Sequence, residues 1–70
     1  MKNVTANMAG TLINVLVQVG DDVKAGQDVL VLESMKMEVP LQAEADGKVV
    51  EIKAAIGDFV NEGDVILVLE

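Results

Sequence analysis

Apolar β-branched residues recur at every second position through the first third of the chain. Ile13, Val15, Val17 and Val19 alternate with Leu12, Asn14, Leu16 and Gln18. A period of two marks a half-buried strand, and here one face is wholly β-branched. The pattern returns in the second half, with Val50, Ile52, Ala54 and Ile56 on the matching face. Gly20-Asp21 and Gly57-Asp58 end the two runs, glycine offering a positive φ. Short connections at 23–26 and 60–63 each set one valine, Val23 or Val60, toward the interior. A second apolar run follows at 28–32 and at 65–69, nearly continuous in both halves, which predicts strands buried on two sides.

These echoes are one internal repeat. Residues 10–33 align with 47–70 at an offset of 37: Gly10 meets Gly47, Gly20 meets Gly57, Asp21 meets Asp58 and Gly26 meets Gly63. Leu30, Val31, Leu32 and Glu33 meet Leu67, Val68, Leu69 and Glu70. Each half is expected to fold as the same unit, with the halves packed together. The six glycines are expected at turns, since no phosphate-cradling motif surrounds them. A first strand is expected around 3–6. Pro40 cannot donate to a ladder, so its strand is an edge or its nitrogen faces outward. Residues 43–46 have some helix propensity but meet a turn signal at Asp46-Gly47. The chain therefore reads as all-β, with seven or eight short strands. Two small sheets face to face, a flattened β-barrel or sandwich of two quasi-symmetric four-stranded halves, form the economical architecture.

Between the halves lies Glu33-Ser34-Met35-Lys36-Met37-Glu38. If the flanking runs are strands, Lys36 is at a hairpin tip, its amine in solvent. The repeat puts this junction at one end of the molecule and the chain ends near the other. An ordinary lysine amine, with a pKa of about 10.4, is almost wholly protonated at neutral pH. It is a poor nucleophile unless another protein supplies a base and an activated acyl group. Lys36 is thus expected to be a substrate for a modifying enzyme.

Composition narrows the choice. Seventy residues form one small domain, 1–70, which buries only about 60% of its unfolded surface. A formal charge of −7, five lysines, no arginine and a single aromatic residue, Phe59, argue against nucleic-acid binding. No run approaches the ~20 apolar residues of a membrane span, so no membrane partner is expected. The start of the chain lacks the apolar block of a signal peptide, and a cytoplasmic location fits. Histidine and cysteine are absent and Ser34 is the sole serine, so no Ser-His or Cys-His nucleophile pair exists. The carboxylates match no calcium-loop spacing. No catalytic residue and no metal site are expected.

The central hexapeptide resembles the E-[AS]-M-K-M signature of the biotinyl/lipoyl attachment domain family. The resemblance extends through Met8-Ala9-Gly10, the stretch from Gly20-Asp21 to Gly26, and Gly57-Asp58 with Gly63-Asp64. It looks closest to the small stand-alone bacterial attachment proteins, and Met1 suits a free-standing chain. It implies a hammerhead barrel, expected to be monomeric. It also implies a biotin carboxyl carrier with no catalysis of its own, in which biotin is joined by an amide to Lys36. Biotin protein ligase would make that bond. The swinging biotin would then carry a carboxyl group from biotin carboxylase to a carboxyltransferase. Met35 and Met37 are candidate recognition residues, and Glu33, Ser34 and Glu38 candidate ligase contacts. Lipoyl domains share the hairpin lysine but usually carry D-K-A there, so Met35-Lys36-Met37 favours biotin, with a lipoyl carrier or a dual biotin/lipoyl acceptor the alternative. The chain departs from the pattern at Asn7 and Glu44, where the family often has proline. It also has no room for the protruding loop of some acetyl-CoA carboxylase carriers. The acceptor of the carboxyl group is not named by the sequence.

Overall fold

The computed structural model describes all residues, Met1–Glu70. It contains eight strands and no helix: β1 (Lys2–Thr5), β2 (Gly10–Val15), β3 (Asp22–Val23), β4 (Asp28–Ser34), β5 (Met37–Gln42), β6 (Gly47–Ile52), β7 (Phe59–Val60) and β8 (Val65–Leu69). They form two four-stranded sheets, ordered β1-β8-β6-β3 and β5-β4-β2-β7. All pairings are antiparallel. The expected all-β, two-sheet architecture is the one observed.

The repeat is realised strand for strand, but the halves are interleaved. Shifted by the repeat offset, β1 to β4 fall on β5 to β8, and one sheet falls on the other. Each sheet takes its two inner strands from one half and its two outer strands from the other. The hydrogen bonds repeat as well. The Gly20 N–H donates to the Val49 carbonyl at 2.8 Å, and the Gly57 N–H to the Leu12 carbonyl at 2.7 Å. Asp21 Oδ2 accepts from the Gln18 N–H and Asp58 Oδ2 from the Ala55 N–H, both at 2.9 Å. Such carboxylate bonds to nearby backbone stabilise a turn where no ladder reaches.

Strict alternation fails at one place in β2 and at the equivalent place in β6, for a physical reason. On β2 the register steps from Leu12 opposite Leu32 to Asn14 opposite Val31, leaving Ile13 as an extra residue. Val50 is the extra residue on β6. A bulge reverses the parity of inward residues. Leu12 before the bulge and Val17 after it are consequently both buried, whereas Val19 and its counterpart Ile56 lie in turns beyond the ends of β2 and β6 and are each 62% exposed. Of the β-branched face from 13 to 19, Val15 and Val17 therefore meet the core, and the expectation is corrected at Ile13 and Val19. Bulges also explain the continuous apolar runs. Val29 is extra on β4 against β5, and Ile66 on β8 against β1. They turn the consecutive pairs Val29-Leu30 and Ile66-Leu67 into the core. These strands have one inner face and one outer face, on which Val31 and Val68 stay half-buried.

The glycines divide into two kinds. Gly20, Gly26, Gly57 and Gly63 have φ of 99°, 88°, 99° and 91°, as turns require. Gly10 and Gly47 instead begin β2 and β6. There a Cβ would lie 2.7 Å from the Glu33 carbonyl oxygen and 2.8 Å from that of Glu70. Their expected placement at turns is corrected to one of close strand approach. Pro40 lies on β5, an edge strand, as its missing N–H demands.

Candidate functional site

Strands β4 and β5 pair from Asp28 opposite Gln42 to Ser34 opposite Met37. Only Met35 and Lys36 remain to turn the chain. Both have positive φ, 52° and 65°. Two central residues of positive φ are the signature of the type I′ hairpin turn, whose twist matches the strands it joins. Asparagine and glycine normally fill such a turn. A residue with a Cβ in that region costs about 1–2 kcal/mol. The hairpin holds its lysine in a conformation that lysine does not itself prefer.

Nothing in the chain covers the tip. Met35 is 92% exposed and Met37 66%, and Lys36 is exposed between them. Lys36 takes part in none of the side-chain hydrogen bonds of the fold. Apolar cover for the end of the barrel is therefore not what these methionines provide. Below the tip, Ser34 is half-buried, and Glu33 and Glu38 are exposed directly opposite one another. Like charges in a cross-strand pair destabilise a hairpin. Two features of the hairpin, positive φ at its tip and paired carboxylates at its root, thus run against local stability.

The expected long-range placement holds. The Gly57 N–H bond to Leu12 and the Leu12 N–H bond to Asp58 (2.8 Å) set the 57–58 turn at the lysine end. The 20–21 turn sits at the other end, where the Val49 N–H donates to the Asp21 carbonyl at 2.9 Å. There Lys2 pairs with Leu69. The chain ends occupy, in their sheet, the place that the hairpin occupies in the other, across a molecule of 31 × 19 × 18 Å.

All six expected site residues, Glu33 to Glu38, lie together on this hairpin. Sequence reasoning missed two others. Gly10 lies against the Glu33 carbonyl and 3.6 Å, by its absent Cβ, from Ser34 Cβ. Its presence in the Met8-Ala9-Gly10 element was the available signal. Phe59 pairs with Thr11, which pairs with Glu33, so it shares the hairpin's outer face. A lone aromatic residue of unknown exposure gave no signal. No group of histidine, cysteine or acidic residues is arranged to hold a metal ion.

A small all-β fold that carries one free lysine between methionines on a protruding hairpin has the form of an attachment domain. The model of the family described as Biotin-requiring enzyme, Biotin_lipoyl, matches residues 2–69. The chain belongs to the biotin/lipoyl attachment family. It is 54% identical over 66 residues to the Biotin/lipoyl attachment protein of Bacillus subtilis, spanning 94% of this chain and 90% of that one. It is 45% identical over 64 residues to the dihydrolipoyllysine-residue acetyltransferase component of the pyruvate dehydrogenase complex of Pseudomonas aeruginosa, covering 91% of this chain and 12% of that protein. Among solved structures, the Kluyveromyces lactis urea carboxylase superposes with a TM-score of 0.91 at 33% identity, over 99% of this chain and 6% of the enzyme.

Proposed function

We propose that this chain is a biotin carboxyl carrier, modified at Lys36 by a biotin protein ligase. The observation that carries the reading is the hairpin tip, where an unpaired lysine stands between two exposed methionines. The ligase activates biotin's carboxyl group and provides a base. The Lys36 amine, freed of its proton by that base, attacks the acyl carbon. An amide bond forms as the bond to the leaving group breaks. The domain then works without catalysis of its own. Its biotin takes up a carboxyl group at a biotin carboxylase and delivers it at a carboxyltransferase, in the cytoplasm. The likeness to a domain of urea carboxylase supports the carboxyl-transfer role.

Intact mass after co-expression with a biotin ligase and biotin tests the reading. The expected result is one added biotinyl group, lost in Lys36→Arg. An unmodified wild-type chain, or a label that survives Lys36→Arg, overturns it. The second reading, a lipoyl carrier, is favoured by the likeness to a dihydrolipoyllysine-residue protein. Lipoate ligase in the same assay separates the two: equal labelling by both enzymes removes the preference for biotin that Met35 and Met37 support.

A further inference from the structure

Four residues form one row across the outer face of the hairpin's sheet. Glu38 pairs with Glu33, Glu33 with Thr11, and Thr11 with Phe59. Directly paired residues point to the same side, and Glu38, Glu33 and Phe59 are all exposed. Phe59, the one aromatic residue, is 64% exposed. An open recess of about 460 Å³ lies beside it, with Ala54, Val60 and Val65 as apolar walls and Asp58 and Asp64 among the polar ones.

The internal repeat separates what the fold needs from what it does not. The positions equivalent to Thr11 and Phe59 in the other sheet are Lys48 and Asp22, which also pair across strands. Fold requirements at equivalent sites are alike, so the fold does not require an apolar residue at 59. The aromatic ring occurs only on the sheet that carries the lysine hairpin.

We propose that this row is the docking face for the ligase that modifies Lys36, a partner with an apolar seat for Phe59 and cationic side chains opposite Glu33 and Glu38. The proposal rests on the carrier reading above. Distance selects the ligase. A bare amine reaches no further than its own four-carbon stem, so the modifying enzyme must close over the tip. A standard interface covers about 800 Å² on each partner, a disc of roughly 16 Å radius. Phe59 is two strand spacings across and three residues back from Lys36, or about 13 Å, and falls inside that disc. A biotin carboxylase is met by biotin at the end of an arm longer than the bare amine's, so it need not close as far down over this row. The facing carboxylates supply the charge complementarity: a pair that repels within the hairpin is relieved by a cation from outside.

The test transplants the other sheet's row. Thr11→Lys with Phe59→Asp installs residues that the fold already carries at Lys48 and Asp22. Biotin transfer is measured at steady state with a bacterial biotin protein ligase, biotin and ATP, and folding by thermal melting. The expected result is a KM for the domain raised at least tenfold, with kcat and melting temperature close to wild type. Phe59→Ala is expected to raise KM about fivefold, and Asp22→Ala, at the opposite end, to leave it unchanged. A wild-type KM in both Phe59 variants overturns the docking face. A wild-type chain that accepts no biotin overturns the carrier reading instead, so the two failures are distinct.

Discussion

Replacing Gly10 by alanine adds one methyl group at the start of β2. Its Cβ would stand 2.7 Å from the Glu33 carbonyl oxygen and 3.3 Å from the carbonyl carbon. Carbon and oxygen approach normally to about 3.3 Å, so about 0.6 Å must be found between β2 and β4. Gly10 is not among the residues of positive φ, so alanine meets no backbone barrier there. The alanine gains about 0.4–1 kcal/mol by restricting the unfolded chain. Overpacking costs about 1–3 kcal/mol. The net loss is about 1–2 kcal/mol, and with about 4–8 °C per kcal/mol for a domain of this size the melting temperature falls by roughly 5–15 °C. The displaced backbone is that of Glu33, three residues before Lys36, so the tip moves with it. Misplacing a reacting group by 1 Å can cost about a hundredfold in rate. About tenfold in ligase kcat/KM is expected for this smaller shift, measured well below the melting temperature. Gly47→Ala is the matched control. Its Cβ meets the Glu70 carbonyl oxygen at 2.8 Å and Leu69 Cβ at 3.0 Å, at the far end. It should lose similar stability and keep full ligase activity. Equal effects of the two variants on labelling, or none from Gly10→Ala despite its lower melting point, would refute the idea that Gly10 positions the tip.

Exchanging Met35 and Lys36 should leave the melting temperature unchanged, since both side chains are exposed, yet impair labelling; full labelling would show that the ligase does not read tip geometry. Glu38→Lys turns a repelling cross-strand pair into an attracting one, and should stabilise the hairpin by up to about 1 kcal/mol in thermal melts while lowering ligase kcat/KM. Leu30→Ala and Leu67→Ala remove equivalent, fully buried side chains. Each should cost about 2–5 kcal/mol in urea unfolding, a large share of what a chain of this length has in reserve, and unequal losses would show that the two sheets are not energetically alike.

Much of this structure was legible because the chain states its pattern twice. The repeat predicted two like halves and the end-on position of Lys36, and Pro40 narrowed its strand to an edge or an outward-facing nitrogen, of which the edge is observed. The bulges were not legible. Ile13 and Val50 look like members of an alternating face, and only the partner strand's register reveals that they are surplus. The burial of Val29 beside Leu30 was misread for the same reason. Gly10 and Gly47 looked like turn glycines because sequence shows the absence of a side chain without showing what lies against it. The positive φ of Met35 and Lys36 was hidden, since neither residue announces a type I′ turn. The tip could be located from symmetry and its cargo suggested by family resemblance. The face beside it needed three strands, β4, β2 and β7, brought together from distant parts of the chain.

Interleaving has a consequence for how the molecule comes apart. No sheet can be completed by residues from one half, because β1 and β3 close a sheet centred on β8 and β6, and β5 and β7 close the other. Loss of one half strips the outer strands from the sheet of the other. Unfolding should therefore be all-or-none, with amide protons at the lysine end and at the chain ends exchanging through the same global opening. A ligase would then meet either a fully formed hairpin or a disordered chain, and its labelling would report on folding of the whole domain.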